Sequence, residues 1–235
     1  MSSTTELTQL TLPMALRDDA RFSNYYPGIN AQVPQAIKDQ WTTHGESYLY
    51  LWGAEGSGVS HLLQAACHYA EGKGHQSMYL PLKELADYGP MVLEGIDELP
   101  LVAIDDLQYV AGNREWEEAL FHLYNRIRDR QGHLLIGADR APLQMEVSLA
   151  DLASRLSWGV VYHLELLNDE EKVQALILRA RERGFDLMDE VAAYIMNRGP
   201  RDMAGLCHIL ECLDQASLTA QRRITIPFVK AEMGW

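Results

Sequence analysis

Apolar positions along the chain follow two different rules. Up to about residue 166, short apolar runs alternate with longer stretches spaced like helices. SYLYLW (47–52), QSMYLP (76–81), PLVAIDD (100–106), HLLIGAD (133–139) and VVYHLEL (160–166) read as strands. Between them, HLLQAACHYAEG (61–72), NREWEEALFHLYNRIRDRQG (113–132) and LADLASRLSW (149–158) read as helices, the first ended by Gly72. Strands alternating with helices predict an α/β layered unit whose parallel sheet lies between helices. Beyond residue 168 the strand-like runs stop. NDEEKVQALILRARERG, DEVAAYIMNRG and RDMAGLCHILECLDQASL are three helical patterns, with a short fourth near IPFVKAEM. Asn168 or Asp169 is placed to cap the first, and Gly184 and Gly199 punctuate the joins. Met203, Leu206, Leu210 and Leu213 form one stripe on the third. The expected organisation is a flexible tail (1–21), an α/β core (22–167) and a small all-α domain (168–235).

Composition narrows the class. With 235 residues, 47% of them hydrophobic, the chain can bury a core for one large domain or for a core with a small partner. No apolar run approaches the roughly 18 residues of a membrane span. MSSTTELTQLTLPM lacks the basic start and apolar centre of a secretory signal. Cys67, Cys207 and Cys212 are odd in number and contain no C-x-x-C, which argues against disulfides and zinc and for a reducing cytoplasm. The net charge of −13 disfavours tight, direct binding to duplex DNA, leaving only a local basic patch such as Arg222 and Arg223.

The candidate chemistry begins at GAEGSGVS (53–60), which has the outline of a phosphate loop, G-x-x-x-x-G-K-[ST]. Such loops work through backbone N–H groups aimed at an anion from a helix N-terminus, with glycines allowing close approach. Gly53, Gly56, Ser57 and Gly58 supply the loop, Ser60 stands where a hydroxyl would ligate Mg²⁺, and His61 follows in the first helical turn. Val59, however, stands where the lysine should be. Amide cradling survives that change while charge compensation at a γ-phosphate does not, so a diphosphate is favoured and hydrolysis is disfavoured. Taken alone, the segment reads equally as a glycine-rich strand–helix turn with no ligand. LVAIDD adds a strand ending in two acids, the form in which Asp105 would hold Mg²⁺ through water and Asp106 would stand where many ATPases carry glutamate.

With both features in hand, the sequence resembles the AAA+ ATPases and, among them, the DnaA/Hda family, over nearly its whole length. FSNYYPGINAQ (22–32) looks like the segment that passes over the base, implying Tyr26, Pro27 and Gly28 as nucleotide contacts. GADR (137–140) looks like sensor 1, with Asp139 as its polar residue. LASRLSWG (152–159) looks like the box VII stretch, and RGPRDMAGL (198–206) like sensor 2, with Arg201 reaching the phosphates. TQLTLPM (8–14) looks like a peptide that docks on the bacterial sliding clamp, the β subunit of DNA polymerase III, through Gln9, Leu10, Leu12, Pro13 and Met14. The resemblance implies a cytoplasmic negative regulator of chromosomal replication that binds the DNA-loaded clamp and ADP. It also implies Arg155 as an arginine finger, acting in trans on the ATP of the initiator DnaA. On the residues alone, Arg155 would pair with Asp151 on its own helix. The family's helix-turn-helix domain would begin where this chain stops, so sequence-specific DNA binding is not expected. A self-sufficient ATPase of helicase-loader type and a non-catalytic adaptor are the alternatives, and oligomeric state stays open.

Overall fold

The computed structural model describes residues 16–43 and 45–235, so Gln9, Leu10, Leu12, Pro13 and Met14 lie outside the described residues. In chain order the elements are α1 (Gln32–Asp39), β1 (Tyr48–Trp52), α2 (Val59–Gly72), β2 (Ser77–Pro81), α3 (Leu82–Leu85), β3 (Leu101–Asp105), α4 (Arg114–Asp129), β4 (His133–Ala138), α5 (Ala150–Leu156) and β5 (Val160–His163). Four helices follow, α6 (Asp169–Glu182), α7 (Asp189–Arg198), α8 (Met203–Ala220) and α9 (Ile226–Met233). The five strands form one parallel sheet in the order β2-β3-β4-β1-β5.

The inner strands look uniformly apolar because both faces of the sheet are covered. Tyr48 and Tyr50 point to the α4 and α5 side, with Val102, Ile104, Leu134 and Ile136. Leu49 and Leu51 point to the α1 and α2 side, with Leu101, Ala103 and Leu135. A third core, built on Leu176, Val191, Ile195, Leu206, Leu210 and Leu213, holds α6 to α9 together. Asn168 caps α6 as expected, in a reciprocal capping box with Glu171.

Several local features differ from the sequence reading. The tail was expected to run to residue 21, yet Ala20 is fully buried and the Arg17 amide donates to Gln64 on α2 at 2.9 Å. The chain from Leu16 to Arg21 therefore lies on the core. The α1 helix leaves no clear trace in the hydrophobic pattern because it is short and carries Pro34 in its first turn. The strand expected to reach residue 166 stops at His163 because a side chain takes over the ladder. Asn30, buried in a 3-10 turn, donates to the Glu165 carbonyl at 2.9 Å and accepts from the Glu165 amide at 3.0 Å.

Candidate nucleotide site

The glycine loop joins β1 to α2 and opens into a cavity of about 1160 Å³ lined by the core, the N-terminal segment and the lid. Gly56 and Gly58 adopt φ of +86° and +98°, a region that side chains resist. A Cβ on Gly58 would also lie 2.9 Å from the Tyr25 ring. Gly58 caps α2 without any side-chain acceptor, which leaves first-turn amides facing the cavity. The Ser57 hydroxyl is buried without a hydrogen-bond partner, and such a group is costly unless a ligand or water reaches it. Together, the amides, the cradle and the orphaned hydroxyl fit a phosphate group. Gly56, Ser57, Gly58, Val59, Ser60, His61, Asp105 and Asp139 all border the cavity.

Val59 is buried and belongs to the core between α2 and the sheet. A Cβ on Gly137 would lie 2.8 Å from Val59 Cγ1 and 2.6 Å from Asp105 Oδ1, so these two side chains fill the space above that glycine. Asp105 is itself buried, and both oxygens are engaged. Oδ2 accepts from the Tyr79 hydroxyl at 2.7 Å and Oδ1 from the Asp106 amide at 2.9 Å. Burial and the Asp105 charge push the Tyr79 phenol well above its ordinary range. Asp106 sits at φ 60°. Burial, and then the neighbouring Asp105, raise its carboxyl above the usual range. Gln108 bridges the two strand ends: its amide donates to Asp106 at 3.0 Å, and its carbonyl accepts from the Asp139 amide at 3.3 Å. Asp139 pairs with Arg140 through both oxygens, at 2.7 and 2.8 Å, and that guanidinium holds its carboxyl below the ordinary value. Among the described residues, no three His, Cys, Asp or Glu side chains converge on a metal position. Any Mg²⁺ would thus depend on nucleotide oxygens, with Ser60 and water on Asp105.

The cavity's cations come from unexpected places. Arg17, Lys83 and Arg179 line it, from the N-terminal segment, α3 and α6. The Arg179 side chain is only 12% exposed; Nη1 donates to Asp19 at 3.2 Å and Nη2 to His61 Nδ1 at 3.0 Å. His61 Nε2 faces the Arg21 carbonyl at 2.9 Å, so Nε2 carries the proton and Nδ1 accepts. Burial, and then the Arg179 charge, lower His61 to about 4. The ring is therefore a neutral acceptor near pH 7.

Other expected contacts lie elsewhere. Tyr26, Pro27, Gly28 and Arg201 do not line the cavity. Gly28, at φ +48°, sits against the lid, where a Cβ would meet Glu171 Oε1 at 2.6 Å; Tyr25 is the aromatic that reaches the loop and packs on His61. Arg201 is exposed and donates to Asp169 at 2.8 Å, while its carbonyl accepts from Lys172. Arg155 also lies outside the cavity and makes no ion pair with Asp151. Its guanidinium lies 4.2 Å from the centre of the Trp158 ring and 5.8 Å from that of Tyr124. Sequence patterns gave no signal for Asp19, Tyr79, Lys83 or Arg179, because none occupies a motif position.

A parallel sheet in this order, with a glycine loop after β1, acids ending β3, a polar residue after β4 and a helical lid, defines an AAA+ P-loop module. The family model for the lid domain of Hda matches residues 169–233, and that for the bacterial DnaA ATPase domain matches residues 92–163. The chain belongs to the DnaA/Hda family of AAA+ proteins. Domain III of the Thermotoga maritima replication initiation protein DnaA shares its fold with TM-score 0.76 and 22% identity, over 94% of this chain and 98% of that one. AMPPCP-bound DnaA from Aquifex aeolicus aligns with TM-score 0.68 and 20% identity, over 88% and 69% of the two chains. The Thermotoga maritima RuvB branch-migration motor, at 0.64 and 17% over 88% and 68%, has the same architecture. No helix among the described residues is long and apolar enough to cross a membrane.

Proposed function

We propose that this protein is a negative regulator of chromosomal replication initiation that accelerates hydrolysis of ATP held by the initiator DnaA. The observation that carries this reading is the placement of Arg155. It lies away from the chain's own cavity, without an acidic partner among the described residues, and rests against Trp158 and Tyr124. Such a guanidinium keeps its donors free for phosphate oxygens. A finger of this kind supplies roughly 10³–10⁵ in rate to phosphoryl transfer.

The chain's own site holds ADP through the loop amides, with Ser60 available to an accompanying Mg²⁺. Val59 gives the loop no ammonium group of its own for a γ-phosphate, so intrinsic turnover is slight. The core spans 22–167 and the lid 168–235. Residues 8–14 tether the protein to the DNA-loaded sliding clamp, which brings Arg155 to DnaA.

The test is single-turnover hydrolysis of DnaA-bound ATP with clamp loaded on DNA. The intact protein is expected to accelerate hydrolysis, and Arg155→Ala to abolish that effect while melting normally. A chain that joins clamp and DnaA yet leaves the rate unchanged would make it an adaptor. Turnover by the isolated protein would instead make it an ATPase in its own right.

A further inference from the structure

Of the cationic side chains that line the cavity, Arg179 alone comes from the lid; Arg17 and Lys83 belong to the N-terminal segment and α3. The lid arginine expected from sequence, Arg201, points to Asp169 on the exposed side of α6. Arg179 is half-buried, its side chain 12% exposed, and its planar fork is fixed from two directions. His61 Nδ1, on the helix that follows the phosphate loop, accepts from one nitrogen at 3.0 Å. The other nitrogen donates to Asp19 at 3.2 Å.

Asp19 is a counter-ion shared between two arginines. It belongs to no helix or strand, and its second partner is the exposed Arg17, at 3.0–3.1 Å. Burial opposes its charge, while the Arg17 hydrogen bond and the Arg17 and Arg179 charges outweigh that and hold the carboxyl below its ordinary range. A carboxylate therefore occupies, at the cavity wall, the anion position of a preorganised guanidinium. A phosphate offers the same fork more oxygens and more charge.

We propose that Arg179 is the lid residue that recognises the phosphates of a bound nucleoside diphosphate, and that Asp19 is a built-in competitor for it. The proposal rests on the nucleotide reading given above and deepens it. Nucleotide binding transfers Arg179 from Asp19 to the ligand, with His61 holding the guanidinium in place throughout. The same exchange releases the segment Arg17–Arg21 from the lid, so occupancy of the site is communicated to the chain immediately after the expected clamp-binding residues.

The experiment is titration of the full chain with fluorescently labelled ADP, with thermal melting of each variant as a check on folding. Arg179→Gln is expected to weaken binding about tenfold or more, the worth of a charge-assisted hydrogen bond. Arg181→Gln removes the same charge from the exposed side of α6 and is the control, expected to change affinity less than twofold. Asp19→Asn is expected to strengthen binding about threefold or more, a direction that misfolding cannot produce. If the unaltered chain binds no labelled ADP, the nucleotide reading itself fails and this proposal with it. If it binds and Arg179→Gln matches it, or if the loss falls on Arg201→Gln instead, only the assignment of Arg179 is overturned. Weaker or equal binding by Asp19→Asn overturns the competition.

Discussion

Val59 is the residue on which the proposed separation of nucleotide binding from turnover rests. Its isopropyl group belongs to the core, over Gly137 and beside Asp105. The Tyr79 hydroxyl donates to Asp105. A neutral phenol neutralises no phosphate charge, so the carboxylate is stabilised without creating a γ-phosphate site. Val59→Lys would put an ammonium group between the loop and Asp105. ATP affinity is then expected to rise about tenfold, as a charge-assisted contact provides, and nucleotide titration checks it. Unchanged affinity would mean that the loop amides alone set binding. The motif spacing revealed the loop and its missing lysine. It could not reveal Tyr79, which arrives from the next strand only once β2 and β3 pair.

Among the elements, α5 matters because it carries Arg155, and a buried carboxylate fixes where it starts. Glu117 on α4 accepts from the Gly112 amide at 2.8 Å, the Ser148 amide at 3.0 Å, the Ser148 hydroxyl at 2.8 Å and the Leu149 amide at 2.7 Å. Burial works against its charge, but these donors prevail and hold the carboxyl below its ordinary range. Glu117→Ala would remove at once the acceptor for all four of these hydrogen bonds, a loss of about 2–4 kcal/mol measurable by urea unfolding. Stimulation of DnaA is expected to fall as well, because α5 loses its anchor. Arg155→Ala, in contrast, should leave stability unchanged. The hydrophobic period marked α4 and α5 as helices, but a glutamate within an amphipathic pattern reads as surface. Only the packing of α4 beneath the loop before α5 turns it into a buried acceptor.

Across the whole molecule, the N-terminal segment, core and lid meet at Asp19, His61 and Arg179. This junction sets a pH dependence. His61 titrates at about 4 in the folded protein, below its ordinary 6.5. Between those values the unfolded chain binds the proton and the folded chain does not, so stability rises with pH. The contribution, about 3 kcal/mol, is fully present above pH 6.5 and is lost as pH falls from 6.5 through 4. Urea unfolding across pH 4–7.5 should show this slope, and His61→Gln should flatten it. An equal slope in both proteins would place the titrating group elsewhere.

The layered α/β core, the helical lid, the capped start of α6, the glycine loop and the acids of LVAIDD were all legible along the chain. Each of these is a local property: hydrophobic period, turn chemistry and motif spacing act over a few residues and leave a readable trace. Tertiary structure decided what depends on residues distant in the chain. It ended β5 at His163, with the Asn30 side chain bonding Glu165 beyond it, brought Leu16–Arg21 onto the core, turned Arg201 outward and placed Arg179 at the cavity. An arginine on a lid helix looks the same in sequence whether it faces solvent or ligand. The docking of the lid on the core makes the difference, by holding one guanidinium between His61 and Asp19 while leaving the other exposed beside Asp169.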